Sequence, residues 1–113
     1  MTVTTNKLTE DFSVCPQITA EDVAEIAQLG FKTIINNRPD AEGGAEQPSN
    51  ASIQAAAEKL GLQYFYIPVI PNQIQESEVT TFAKALAGAA KPALAFCRTG
   101  NRATKLFSLA VAK

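Results

Sequence analysis

Residues 93–104 constrain this chain most. Four apolar residues, Ala93-Leu94-Ala95-Phe96, run unbroken into Cys97, a short polar turn follows, Arg98-Thr99-Gly100-Asn101, and from Arg102 onward the composition is helical. A run with no polar face suits a strand buried on both sides, and Gly100 lets the backbone turn tightly. Cys97 is therefore expected where a strand hands over to a helix N-terminus. Unpaired backbone N–H groups and the positive end of the helix dipole gather there, and both favour a thiolate, a bound oxyanion or a persulfide. Arg98 and Arg102 add permanent positive charge within the same loop.

The rest of the chain supplies partners for such a strand. Residues 7–15 end in alternating Phe12 and Val14 and predict a short strand before the Pro16-Gln17 turn. Thr19 has the character of an N-cap, with Asp22 three residues on, and Val23, Ile26, Ala27 and Leu29 recur at helical spacing until Gly30. A helix over 20–29 follows. The β-branched run 31–35 predicts a second strand, and Asn36-Asn37-Arg38-Pro39-Asp40 at its carboxyl end is either a turn or a site-lining loop. Residues 41–48 show no periodicity and form a loop near the site. Ser49 or Asn50 caps a helix carrying Ile53, Ala56, Ala57 and Leu60, a strand is predicted over 62–69, and a helix over 76–89 places Val79, Phe82, Ala83 and Leu86 on one face. The final helix covers 102–113. Strand and helix alternate throughout, which predicts a single three-layer α/β domain over 1–113, a largely parallel central sheet flanked by helices.

Composition removes several function classes. Ten basic and eleven acidic residues leave a net charge of -1, with no basic excess for general nucleic-acid binding. No apolar run approaches the roughly 20 residues of a membrane span, and the first residues lack the apolar stretch of a signal peptide, so a cytoplasmic location is expected. The chain has two cysteines, Cys15 and Cys97, and no histidine. Cys-His dyads, Ser-His-Asp triads and the usual His/Cys zinc sites are thus ruled out, and neither metal nor cofactor is expected. Activation of Cys97 falls to backbone dipoles and arginines. Cys15 reads as a packed residue or, alternatively, as a thiol that resolves an oxidised Cys97.

Four residues separate Cys97 from Arg102, and at the next position stands Ala103. Cysteine phosphatases of the tyrosine and dual-specificity type place five residues between nucleophile and arginine, whereas rhodanese sulfurtransferases typically place four, so the loop resembles the rhodanese kind. The wider chain resembles the family called domain of unknown function 442, the phosphatase-like domain of beta-lactamase-hydrolase-like proteins. Pro16-Gln17-Ile18-Thr19, the run from Gly30 to Asp40, Gln47-Pro48, Ile67-Pro68-Val69 and Cys97-Arg98-Thr99-Gly100-Asn101-Arg102 carry that resemblance. It implies a dual-specificity-phosphatase-like fold. The occurrence of some members beside persulfide dioxygenases implies sulfur transfer and such a dioxygenase as partner, while others are described as phosphatases.

Phosphatases of this type supply an aspartate acid from the loop after the preceding strand, but residues 68–79 contain none; Glu76 and Glu78 are their only acids. Spacing and missing aspartate favour a sulfurtransferase in which Cys97 takes sulfane sulfur from thiosulfate or a persulfide and passes it to a thiol such as glutathione. Cys97 and Arg102 are then catalytic, Arg98, Thr99, Gly100 and Asn101 form the anion-binding loop, and Arg38 and Asp40 are accessory candidates. The alternatives are a phosphatase acting through phosphocysteine and a non-catalytic module that binds an anion or a persulfide.

Overall fold

The computed structural model describes residues 3–112. Its elements are β1 (Asn6–Thr9), β2 (Phe12–Cys15), α1 (Asp22–Gln28), β3 (Thr33–Asn36), α2 (Asn50–Lys59), β4 (Gln63–Tyr66), α3 (Glu76–Gly88), β5 (Ala93–Phe96) and α4 (Asn101–Val111). The strands form one sheet in the order β1-β2-β5-β3-β4. β5 lies between β2 and β3 and is parallel to both, with Ala95 level with Val14 and Ile35. β3 and β4 are also parallel, and β1 returns antiparallel along β2. The three-layer α/β architecture expected from the sequence is therefore present.

Period-two alternation divides the core into two layers. Phe12, Val14, Ile35, Ala93 and Ala95 meet Val79 and Phe82 of α3 and Ala103, Leu106 and Ala110 of α4. On the opposite face Cys15, Ile34, Leu94 and Phe96 meet Val23 and Ile26 of α1 and Ile53 and Ala57 of α2. All four residues of β5 are buried, as its unbroken apolar run requires. Among the described residues no helix is long and apolar enough to cross a membrane.

Local signals set most boundaries. Thr19 and Asp22 exchange bonds, the Thr19 N–H donating to Asp22 Oδ2 at 2.9 Å and the Asp22 N–H to Thr19 Oγ1 at 3.2 Å. Residues 19–21 are taken up in that turn, so α1 starts at Asp22 rather than at 20. Ser49, not Asn50, caps α2 by accepting from the Ser52 N–H at 3.2 Å.

Two predictions from the sequence need correction. The single strand over 7–15 is a hairpin, closed where the Asp11 N–H donates to Thr9 Oγ1 at 3.1 Å. β1 is an edge strand with three exposed residues of four, so it carries no apolar alternation to reveal it. The strand over 62–69 ends at Tyr66, because Pro68 has no N–H to donate. Its neighbours still hold the extended segment to the end of β3: the Ile67 N–H donates to Asn36 O at 2.9 Å and the Val69 N–H to Asn37 O at 3.0 Å.

Phe82 is fully buried and meets Phe12 edge-on, with ring centroids 6.0 Å apart. Phe82→Ala is expected to lower the unfolding free energy by about 3–5 kcal/mol, measured by urea titration. A loss below about 1 kcal/mol would show that α3 does not anchor this face of the sheet.

Candidate active site

Parallel strands send their carboxyl ends to one edge of the sheet, and there a cleft of about 740 Å³ opens. The loop after β3 contributes Arg38, Glu42 and Gly43 to its wall, and the loop after β4 contributes Pro71, Asn72 and Ile74. Arg98, Thr99, Asn101, Arg102 and Lys105 complete it from the β5–α4 junction.

Cys97 stands at the base of that junction, is 1% exposed, belongs to the core cluster on the α3/α4 face and does not itself line the cleft. The Gly100 N–H donates to its sulfur at 3.1 Å, the polarity that a thiolate requires. Gly100 has φ 95° and lies against β2: a side-chain carbon built on it would stand 3.5 Å from both C and O of Cys15. The left-handed conformation favours glycine there and turns the chain into α4, whose Thr104 N–H returns to Gly100 O at 3.0 Å. Behind the loop, the Gln17 N–H donates to Arg98 O at 3.3 Å and ties it to the end of β2.

Arg102 is held by a residue the sequence reasoning did not single out. Its Nη1 and Nη2 donate to Glu42 Oε2 and Oε1, both at 3.1 Å, and Nη1 also donates to Val69 O at 2.9 Å. Glu42 Oε1 accepts as well from Arg38 Nε at 2.9 Å, and Arg38 Nη1 donates to Gln17 Oε1 at 3.1 Å. One carboxylate thus holds two guanidinium groups, with side-chain exposures of 9% for Arg38, 10% for Arg102 and 21% for Glu42. Burial alone would raise the Glu42 pKa, but hydrogen bonds from Arg102 and Arg38, and then their charges, outweigh it and hold the carboxyl below its usual range.

A guanidinium has five N–H donors. Glu42 takes the end formed by Nη1 and Nη2 of Arg102, and Val69 takes the other Nη1 hydrogen. The Nε–H and the second Nη2–H remain, side by side on one edge, without a partner among the described residues. That edge has the fork geometry that pairs with two oxygens of a tetrahedral anion.

The other candidate residues separate. Arg98, Thr99 and Asn101 line the cleft with Arg102, and Arg38 joins them. Asp40 does not line it: its Oδ1 accepts from the Asn50 N–H at 2.7 Å at the start of α2, while its own N–H donates to Tyr66 Oη at 2.9 Å. Tyr64 is likewise tied to Asn36 and Asn50, and burial foremost holds its phenol above the ordinary range. Cys15 packs on the sheet face opposite to the cluster that contains Cys97, and burial, with Cys97 and Asp22 adding to it, pushes its thiol up to about 12. Glu42 was legible only as an acid four residues after Arg38, an i, i+4 spacing without a helix to support it.

Two consequences are measurable. The folded-state pKa of Glu42 lies below its ordinary 4.5, so its stabilising contribution is complete above about pH 4.5 and is lost as pH falls through the folded value. The stability gap between the parent chain and Glu42→Gln is therefore expected to close on acidification below about pH 4.5 in urea titrations, and a constant gap would contradict this. Gly43 is the second. A Cβ on it would meet Arg38 Nη2 at 2.6 Å and Gln47 Oε1 at 3.2 Å. Gly43→Ala is expected to displace the Arg38 side chain at a stability cost below about 1 kcal/mol, measured by urea titration.

The chain is similar in sequence and fold to known proteins. A candidate phosphatase from Neisseria meningitidis, known from its crystal structure, is 44% identical with a TM-score of 0.82, over 90% of this chain and 72% of that one. A candidate phosphatase of the domain of unknown function 442 from Shewanella putrefaciens is 20% identical with a TM-score of 0.80, over 94% of this chain and 66% of that one, a likeness of fold. A beta-lactamase hydrolase-like protein of Xylella fastidiosa is 35% identical over 102 residues, which are 90% of this chain and 23% of that protein. The chain thus spans about a quarter of the length of the curated relatives it matches. The profile of the family described as "Beta-lactamase hydrolase-like protein, phosphatase-like domain" matches residues 5–113, and the chain belongs to that family.

Proposed function

We propose that this domain is a cysteine-dependent phosphatase in which Cys97 is the nucleophile and Arg102 the anion-binding group. The observation that carries the reading is the open Nε/Nη2 edge of Arg102 in the same loop as a sulfur that already accepts an N–H. The Cys97 sulfur attacks phosphorus, an S–P bond forms and the ester oxygen departs with the bonding electrons. The loop N–H groups not already given to the Cys97 sulfur or to Thr99 Oγ1, together with the Arg102 edge, meet the charge on the phosphoryl oxygens, and water then cleaves the S–P bond. The phosphatase descriptions of the Neisseria and Shewanella proteins support this choice over the sulfurtransferase expected from the sequence.

A second reading rests on loop size. Ala103, the residue at the five-residue spacing, is fully buried in the core, which leaves Arg102 at the four-residue spacing facing the cleft. In that reading Cys97 attacks the outer sulfur of thiosulfate, sulfite leaves, and an acceptor thiol such as glutathione removes the sulfur; a persulfide dioxygenase is then the partner.

Phosphate release from an aryl phosphate is expected from the purified chain. It should vanish in Cys97→Ser and fall about a hundredfold or more in Arg102→Ala. Sulfite production from thiosulfate and glutathione, with an adduct of about 32 Da on Cys97 and no phosphate release, would replace this reading by the second. Turnover retained in full by Cys97→Ser would overturn both covalent mechanisms and leave a binding module.

A further inference from the structure

Four cationic side chains line the cleft, Arg38, Arg98, Arg102 and Lys105, against one carboxylate, Glu42. Arg38 and Arg102 are engaged with that carboxylate. Arg98 and Lys105 are exposed, and neither has an ion-pair partner among the described residues. Lys105 lies three residues beyond Arg102 on α4, roughly 4.5 Å of axial rise, and Arg98 stands in the loop just before that helix. Both project from the junction that holds Cys97. The cleft wall therefore carries two unpaired cations, Arg98 and Lys105, in addition to the open Arg102 edge.

The carboxylate adds a chemical constraint. Glu42 is the one carboxyl group among the described residues that line the cleft, and it is bound at both oxygens by guanidinium groups that keep it charged. Such a group holds no proton to give to a departing oxygen at neutral pH. An alkoxide leaving group needs that proton, whereas a phosphate leaving group departs as a stable anion and needs positive charge near it instead. Arg98 and Lys105 supply charge of that sign.

We propose that the cleft takes a phosphoanhydride, with the terminal phosphoryl group on the cysteine loop and Arg102, and the departing phosphate on a second anion subsite formed by Arg98 and Lys105. This rests on the phosphatase reading above and narrows it. The Cys97 sulfur bonds to the terminal phosphorus, and the bond from that phosphorus to the bridging oxygen breaks. Its electron pair stays on the bridging oxygen of the departing phosphate, which leaves as an anion between the two cations. Water then attacks the S–P bond, the sulfur regains its electron pair, and the proton lost by water passes to solvent.

Calorimetry on the 113-residue chain carrying Cys97→Ser, which binds without turnover, tests the subsite with inorganic pyrophosphate and inorganic phosphate as probes. Pyrophosphate is expected to bind about tenfold or more tightly than phosphate. Adding Arg98→Ala and Lys105→Ala should bring the two affinities to within about threefold, while adding Lys84→Ala, an exposed lysine of α3 outside the cleft, should keep the ratio. Equal affinities in Cys97→Ser, or a ratio insensitive to the Arg98/Lys105 pair, would overturn the inference. Turnover assays on the parent chain separate the two levels. Hydrolysis of an aryl phosphate without a pyrophosphate preference overturns the second subsite and leaves the phosphatase reading intact. A pair-dependent preference without hydrolysis of either compound upholds the subsite and overturns the phosphatase reading.

Discussion

β5 is the constraint on which the rest of the molecule depends. Four apolar residues buried on both faces need parallel neighbours for their backbone and a helical layer on each side for their side chains. β2 and β3 meet the first need, while α1 with α2 and α3 with α4 meet the second. Once β5 is central, the loops after β3 and β4 open at the same edge as Cys97. The site is a consequence of satisfying that strand, and groups more than fifty residues apart in sequence converge without a dedicated scaffold.

Convergence alone leaves an arginine long and mobile, and Glu42 removes that freedom. Bidentate pairing to Arg102, a further bond from Arg38 and the Val69 carbonyl fix the plane of the Arg102 guanidinium and choose which of its edges stays open. The pairing is partly shielded, so it is screened less than a surface ion pair, yet its value lies in orientation more than in stability. Ala41, immediately before Glu42, adopts φ 64°, a conformation that non-glycine residues reach at a cost of about 1–2 kcal/mol. The loop carries strain at the residue that directs the carboxylate onto the arginines.

The strand–helix alternation, the Thr19/Asp22 turn ahead of α1 and the cysteine loop were readable because each depends on neighbours close in sequence. The hairpin at β1 was not, because an exposed edge strand has no apolar period. Glu42 was not, because its role arises from a non-helical loop with a left-handed alanine, and neither periodicity nor propensity encodes where such a loop aims a side chain. Asp40 illustrates the opposite difficulty. It stands two residues after Arg38 and has the chemistry of a proton donor, but the loop turns it towards α2, where it holds the Asn50 N–H.

The division of labour between these two acids bears on the chemistry. A carboxylate can serve a phosphoryl site by donating a proton or by orienting a cation, and the two demand opposite environments. Desolvation raises the affinity for a proton; guanidinium partners lower it. Around Glu42 the guanidinium groups prevail. A site that uses its carboxylate to hold arginines must handle the leaving group by charge instead of by proton transfer. In the proposed phosphoanhydride reading the unpaired Arg98 and Lys105 meet that need, and the same electrostatics suits sulfite as well as phosphate. Loop spacing and leaving-group charge are therefore separate properties in the two proposed readings: the first would set how closely a tetrahedral centre approaches the sulfur, the second which anion would leave it.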